Sequence, residues 1–80
     1  MMDKKKFESM LILIVPDVIK LIVKRYSWSE IIASEKFYNS KVYEKLEQEE
    51  TKLWHLSPLT LFNMFEEEQR TGELVFPEEA

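Results

Sequence analysis

The one side chain able to exchange a proton near neutral pH is His55, and the chain contains no cysteine. An imidazole acting as general base or metal ligand needs partners. His55 instead sits between Trp54 and Leu56, with no His-x-Glu or His-x-x-x-His spacing around it. It reads as a partly buried histidine bonded to backbone. The hydroxyls of Ser9, Ser27, Ser29, Ser34, Ser40, Ser57, Thr51, Thr60 and Thr71 have no base placed near them by any spacing, and nucleophilic catalysis requires one. Glu47, Glu49 and Glu50, and again Glu66, Glu67 and Glu68, are carboxylates that a divalent cation would use if they converged. Consecutive residues on a helix diverge by about 100°, so these read as solvated acidic faces. With one glycine there is no glycine-rich phosphate cradle either. The expectation is a chain without catalytic, cofactor-binding or metal residues: a protein that binds rather than transforms.

What it binds is constrained by charge and by apolar excess. Lys4, Lys5 and Lys6, then Lys20, Lys24 and Arg25 beside Tyr26 and Trp28, have the basic-aromatic mix that suits stacking and phosphate contact. Asp3, Glu8, Asp17 and Glu30 dilute that patch. Residues 1–36 carry a surplus of two positive charges and residues 37–80 a surplus of six negative ones, which gives the net −4. The acidic half disfavours a nucleic-acid backbone. A nucleic-acid-binding regulator using the Lys20–Arg25 edge is therefore the alternative reading. The leading one comes from the ten aromatics and the 45% apolar content, more than a core of eighty residues should need. Surplus aromatic and aliphatic side chains mark contact surfaces. The interface is assigned to Leu11, Ile14, Val18 and Ile22, with Trp54 and Phe76.

The elements that must position these residues are helical. After Asp3 as a cap, Phe7, Met10, Leu11, Ile14, Val18, Leu21 and Ile22 recur at three- and four-residue spacing. Ile12, Val15, Ile19 and Val23 lie outside that face, so the helix is apolar around much of its circumference. Pro16 predicts a kink or break, and residues 10–15 are also readable as a short strand. The periodicity continuing past Pro16 favours helix. Ser27-Trp28-Ser29-Glu30 fits a capping box with Ser27 as cap, opening a short helix with Ile31, Ile32 and Tyr38 that ends near Asn39. Ser40 caps a third helix with Val42, Tyr43 and Leu46 inward. Glu47-Gln48-Glu49-Glu50 forms an acidic hinge. Thr51 to His55 either prolongs the helix or is extended. Ser57-Pro58 opens the last helix, with Leu56 and Leu61 spaced as a hydrophobic staple and Leu61, Phe62 and Phe65 buried. Gly72 closes it in a left-handed conformation. An apolar tail, Glu73 to Pro77, should dock back on the body.

The expected architecture is one all-α domain over residues 1–80: a bundle of about four helices, with a minimal β pair, 51–55 with 73–76, if those stretches are extended. The apolar run Met10–Val15 is too short for a membrane span of about 20 residues and is interrupted by charge beyond Pro16. No small-residue cleavage site follows it, and cysteine is absent, so the expected compartment is the cytoplasm.

From Tyr38 onward the wording itself is informative. Ser40-Lys41-Val42-Tyr43-Glu44-Lys45-Leu46, then Glu49-Glu50-Thr51-Lys52-Leu53-Trp54-His55-Leu56-Ser57-Pro58-Leu59, then Thr71-Gly72-Glu73 and Phe76-Pro77-Glu78-Glu79-Ala80 resembles an uncharacterised family of very short Gram-positive bacterial proteins. The likeness covers roughly the second half of the chain; the first helix shares only its apolar character and central proline. No activity is attached to that family. The resemblance implies genes placed beside toxin-like ADP-ribosyltransferases, hence an accessory or antitoxin-like partner protein. Together these readings predict a non-catalytic protein–protein interaction module, bound to itself as a homodimer or to a partner protein.

Overall fold

In a computed structural model, residues 4–74 are described. The apolar periodicity becomes α1, Lys4–Tyr26, which at 1.5 Å per residue is about 35 Å long and fills the 37 Å longest dimension of the molecule. It is not broken at Pro16. The ring removes one N–H from the ladder, so the Ile12 carbonyl has no i+4 donor. Ile12 and Pro16 both face outward, where water can satisfy that carbonyl, and the helix continues through. The strand reading of 10–15 is thereby set aside.

Ser27 is not the cap of the second helix. Its N–H still donates to the Val23 carbonyl at 2.9 Å and its φ is 57°, so it ends α1 in the left-handed region. The cap is Ser29, whose Oγ accepts from the Ile32 N–H at 3.2 Å, and α2 spans Glu30–Tyr38. Glu30 thus stands at the first helical position and cannot close a capping box. Ser40 does cap α3, Lys41–Leu46: its buried Oγ donates to the Phe37 carbonyl at 2.5 Å and accepts from the Tyr43 N–H at 3.2 Å.

Two 3₁₀ turns follow, Glu49–Thr51 and Leu53–His55, joined at Lys52 with φ 59°. The β pair expected for 51–55 is absent among the described residues. Most of its backbone donors are already engaged locally: the N–H groups of Thr51, Lys52, His55 and Leu56 donate to carbonyls three residues back, and that of Leu53 to the Thr51 hydroxyl. The Trp54 indole N–H donates to the Glu49 carbonyl at 2.9 Å and locks the pair of turns together. Of the expected partner stretch 73–76, Val75 and Phe76 lie outside the described residues. The last helix, α4, Pro58–Thr71, starts at Ser57, whose Oγ accepts from the Thr60 N–H, and stops at Gly72, with φ 80° and its N–H on the Glu68 carbonyl at 2.7 Å.

The result is an all-α fold in which α1 is the spine. It packs against α2, α4 and the second 3₁₀ turn, and α3 bridges α2 and α4. Val18 and Ile22 of α1 meet Ala33 and Phe37 of α2, Val42 and Leu46 of α3, and Leu61 and Phe65 of α4 in a core closed to solvent. The Phe37 and Phe65 rings lie 6.0 Å apart, tilted, with Tyr43 edge-on to Phe37 at 5.7 Å. Val15 and Ile19, off the face read from sequence, are also buried, because α1 is covered from more than one side.

Candidate functional site

The residues with chemical potential are largely occupied by holding the fold. His55 is exposed, its Nδ1 sits close against the Lys52 carbonyl of its own turn, and Trp54 packs edge-on at 5.8 Å. The three consecutive glutamates of α4 point to three different tasks. Glu66 Oε2 pairs with Arg25 Nε at 2.7 Å, tying α4 to the end of α1. Glu67 pairs with Arg70 one turn on. Glu68 reaches across to α3, where its carboxylate accepts from the Lys41 N–H at 2.9 Å and the Val42 N–H at 3.1 Å. Among the described residues no three metal-ligating side chains converge. The Glu68 contact escaped the sequence reading, since nothing local marks a side chain that caps a helix 26 residues away.

Arg25 of the basic edge is similarly engaged. Arg25 pairs with Glu66 and lies over the Tyr26 ring at 5.6 Å, while Tyr26 stacks on Trp28 at 4.5 Å and 15°. The aromatic faces that would stack on bases are therefore turned towards one another. Burial, then the charge of Glu66, pushes the Tyr26 phenol above its ordinary value against the opposing pull of Arg25. Burial, then Glu47 and Tyr38, does the same for Tyr43.

Of the residues assigned to an interface, Ile14, Val18 and Ile22 are consumed by the chain's own core, Leu11 and Trp54 are half-buried against it, and Phe76 lies outside the described residues. The apolar surface left over is on the adjacent side of α1. Ile12 and Leu13 are each 72% exposed and Ile31 is 79% exposed. A groove of about 370 Å³ lies between α1 and α2. Val15, Pro16, Ile19, Lys20 and Val23 form one wall, and Glu30, Ser34 and Tyr38 the other. Helix spacing extends it: Ile12 lies one turn before Pro16 on the same face, and Ile31 shares a face with Ser34 and Tyr38. The depression exists because Ser34 and Pro16 place little bulk between helices whose contact is made by Ala33 and Phe37 underneath.

A second hollow, about 550 Å³, is lined by charged and polar residues, among them Arg25, Tyr26, Glu66 and Arg70, and includes the Arg25–Glu66 ion pair. No helix among the described residues is long and apolar enough to cross a membrane. Comparison of the chain with family models, curated proteins and solved structures gave no match.

Proposed function

We propose that this chain is a non-catalytic protein-interaction module that takes up an apolar segment of another polypeptide along the α1/α2 groove. The observation that carries the reading is the apolar α1 wall of this groove, Val15, Pro16, Ile19 and Val23, on a helix whose Ile12 and Leu13 stand largely exposed about one turn earlier. Large aliphatic side chains held open together lose nothing by being covered and return roughly 25 cal/mol per Å² when they are. Bounded by two packed helices, the groove suits helix-in-groove recognition. Its floor is set by packing beneath it, so the surface is formed before a partner arrives. An accessory or antitoxin-like role, which the resemblance in the second half of the chain implies, would use this surface to cover part of the partner protein.

Ile12→Asp and Ile31→Asp test it, because both positions are exposed and neither belongs to the core. Each variant should melt close to the parent protein and lose whatever protein co-purifies with the tagged parent from its host. Retention of that protein by both variants would remove the groove from the interaction.

A further inference from the structure

We propose that the groove takes a second copy of this chain, in a two-fold dimer. This rests on the reading of the groove as a docking surface. The walls carry opposite charges: Lys20 stands on the α1 side and Glu30 on the α2 side, and neither forms an ion pair among the described residues. A one-signed partner surface would attract one wall and repel the other. A two-fold axis lying between the copies and parallel to the groove exchanges its walls, so each Lys20 is brought towards the other copy's Glu30, and each Glu30 towards its Lys20. Both charges are then matched by a surface the protein already possesses.

The shapes of the two helices favour the same arrangement. With nine residues against twenty-three, α2 flanks only the later part of α1, and Ile12 and Leu13 are left bare on the earlier part. A second copy brings its own Ile12, Leu13 and Ile31 to the same interface, so the three most exposed aliphatic side chains of each copy are covered at once. Around them the two charge pairs form the polar rim expected of such an interface.

Sedimentation velocity over a wide concentration range, on the full chain, is the test. The parent protein should approach twice its monomer mass, and Lys20→Glu or Glu30→Lys should each weaken the dimer by about ten-fold or more, because either change sets like charges against each other twice. The double variant, Lys20→Glu with Glu30→Lys, should recover most of the parent's affinity. Ile12→Asp, whose fold is checked by its melting curve, should remain monomeric. A parent protein that stays monomeric at every concentration overturns the proposal, as does a dimer indifferent to both charge reversals or a double variant no tighter than the single ones. A monomer whose co-purifying protein is lost on Ile12→Asp would defeat the second copy alone and leave the docking surface intact.

Discussion

Glu68 offers the sharpest test of how this fold is held. The perturbation is Glu68→Ala. In the parent protein the carboxylate accepts two backbone N–H bonds, at 2.9 Å from Lys41 and 3.1 Å from Val42, at the first turn of a six-residue helix. A helix that short does not stand alone in water, so α3 depends on its caps and on Val42 and Leu46 reaching the core. Hydrogen bonds to a charged group contribute about 1.5–3 kcal/mol each. The Lys41 N–H is exposed and water can replace its partner; the Val42 N–H is partly buried and is less easily rescued. The expected loss is therefore about 2–3 kcal/mol, less than the sum of two full bonds. The assay is urea unfolding, read as a lower midpoint with an unchanged slope, combined with amide exchange at Val42 and Tyr43. Glu67→Ala is the control: its neighbouring carboxylate makes only an exposed pair within α4, and its loss should leave the midpoint where it was. If Glu68→Ala also leaves the midpoint and the Val42 exchange rate unmoved, the cross-helix cap contributes nothing and the reasoning fails.

Other consequences are open to the same instruments. Gly72→Ala has room for its methyl group but must hold φ near 80°, so it should cost about 1 kcal/mol in urea midpoint; an unchanged midpoint would mean the α4 terminus relaxes freely. Lys52→Gly relieves a side-chain-bearing residue at φ 59° and should stabilise the chain by roughly 0.5–1 kcal/mol, with destabilisation as the contrary result. Tyr26 and Tyr43 favour the neutral phenol in the fold, so their contribution is complete below the unfolded phenol value of about 10 and is lost as pH rises through the higher folded values. Melting temperature should accordingly fall above about pH 10, with tyrosinate absorbance in the folded protein lagging that of the unfolded chain; coincident titrations would refute this.

Legibility in this sequence follows the range of the interaction. Ser57-Pro58 and Gly72 were readable because a cap, a first-turn proline and a left-handed stop act within a few residues of themselves, and Ser40 is of the same kind. Ser27 and Ser29 show where local signals become degenerate. Both residues can cap, and the choice is made by how far α1 runs, since the Ser27 N–H still belongs to its ladder. The stretch Thr51–His55 failed for another reason: β-pairing is a statement about distant backbone, and the local 3₁₀ bonds had already taken the donors. Glu68 is the extreme case, a long-range contact with no local trace.

The apolar excess was visible at once, but its address was not. On α1 nearly every face is aliphatic, so periodicity alone cannot say which stripe meets α4, which meets α2 and which meets nothing. The fold resolves it by geometry: α2 and α4 pack on α1 and bury Val15, Val18, Ile19 and Ile22, and because α2 has only nine residues the stripe through Ile12 and Leu13 is left over. That remainder is a consequence of helix length, and it predicts which changes matter. Extending α2 would cover the stripe and with it the proposed docking surface; shortening α1 would remove the stripe itself. A chain selected only for a closed core would have polar residues at positions 12, 13 and 31, where aliphatic side chains add nothing to the packing of the monomer. Their exposure, together with the opposite charges of Lys20 and Glu30 on the groove walls, is what the proposed docking surface rests on.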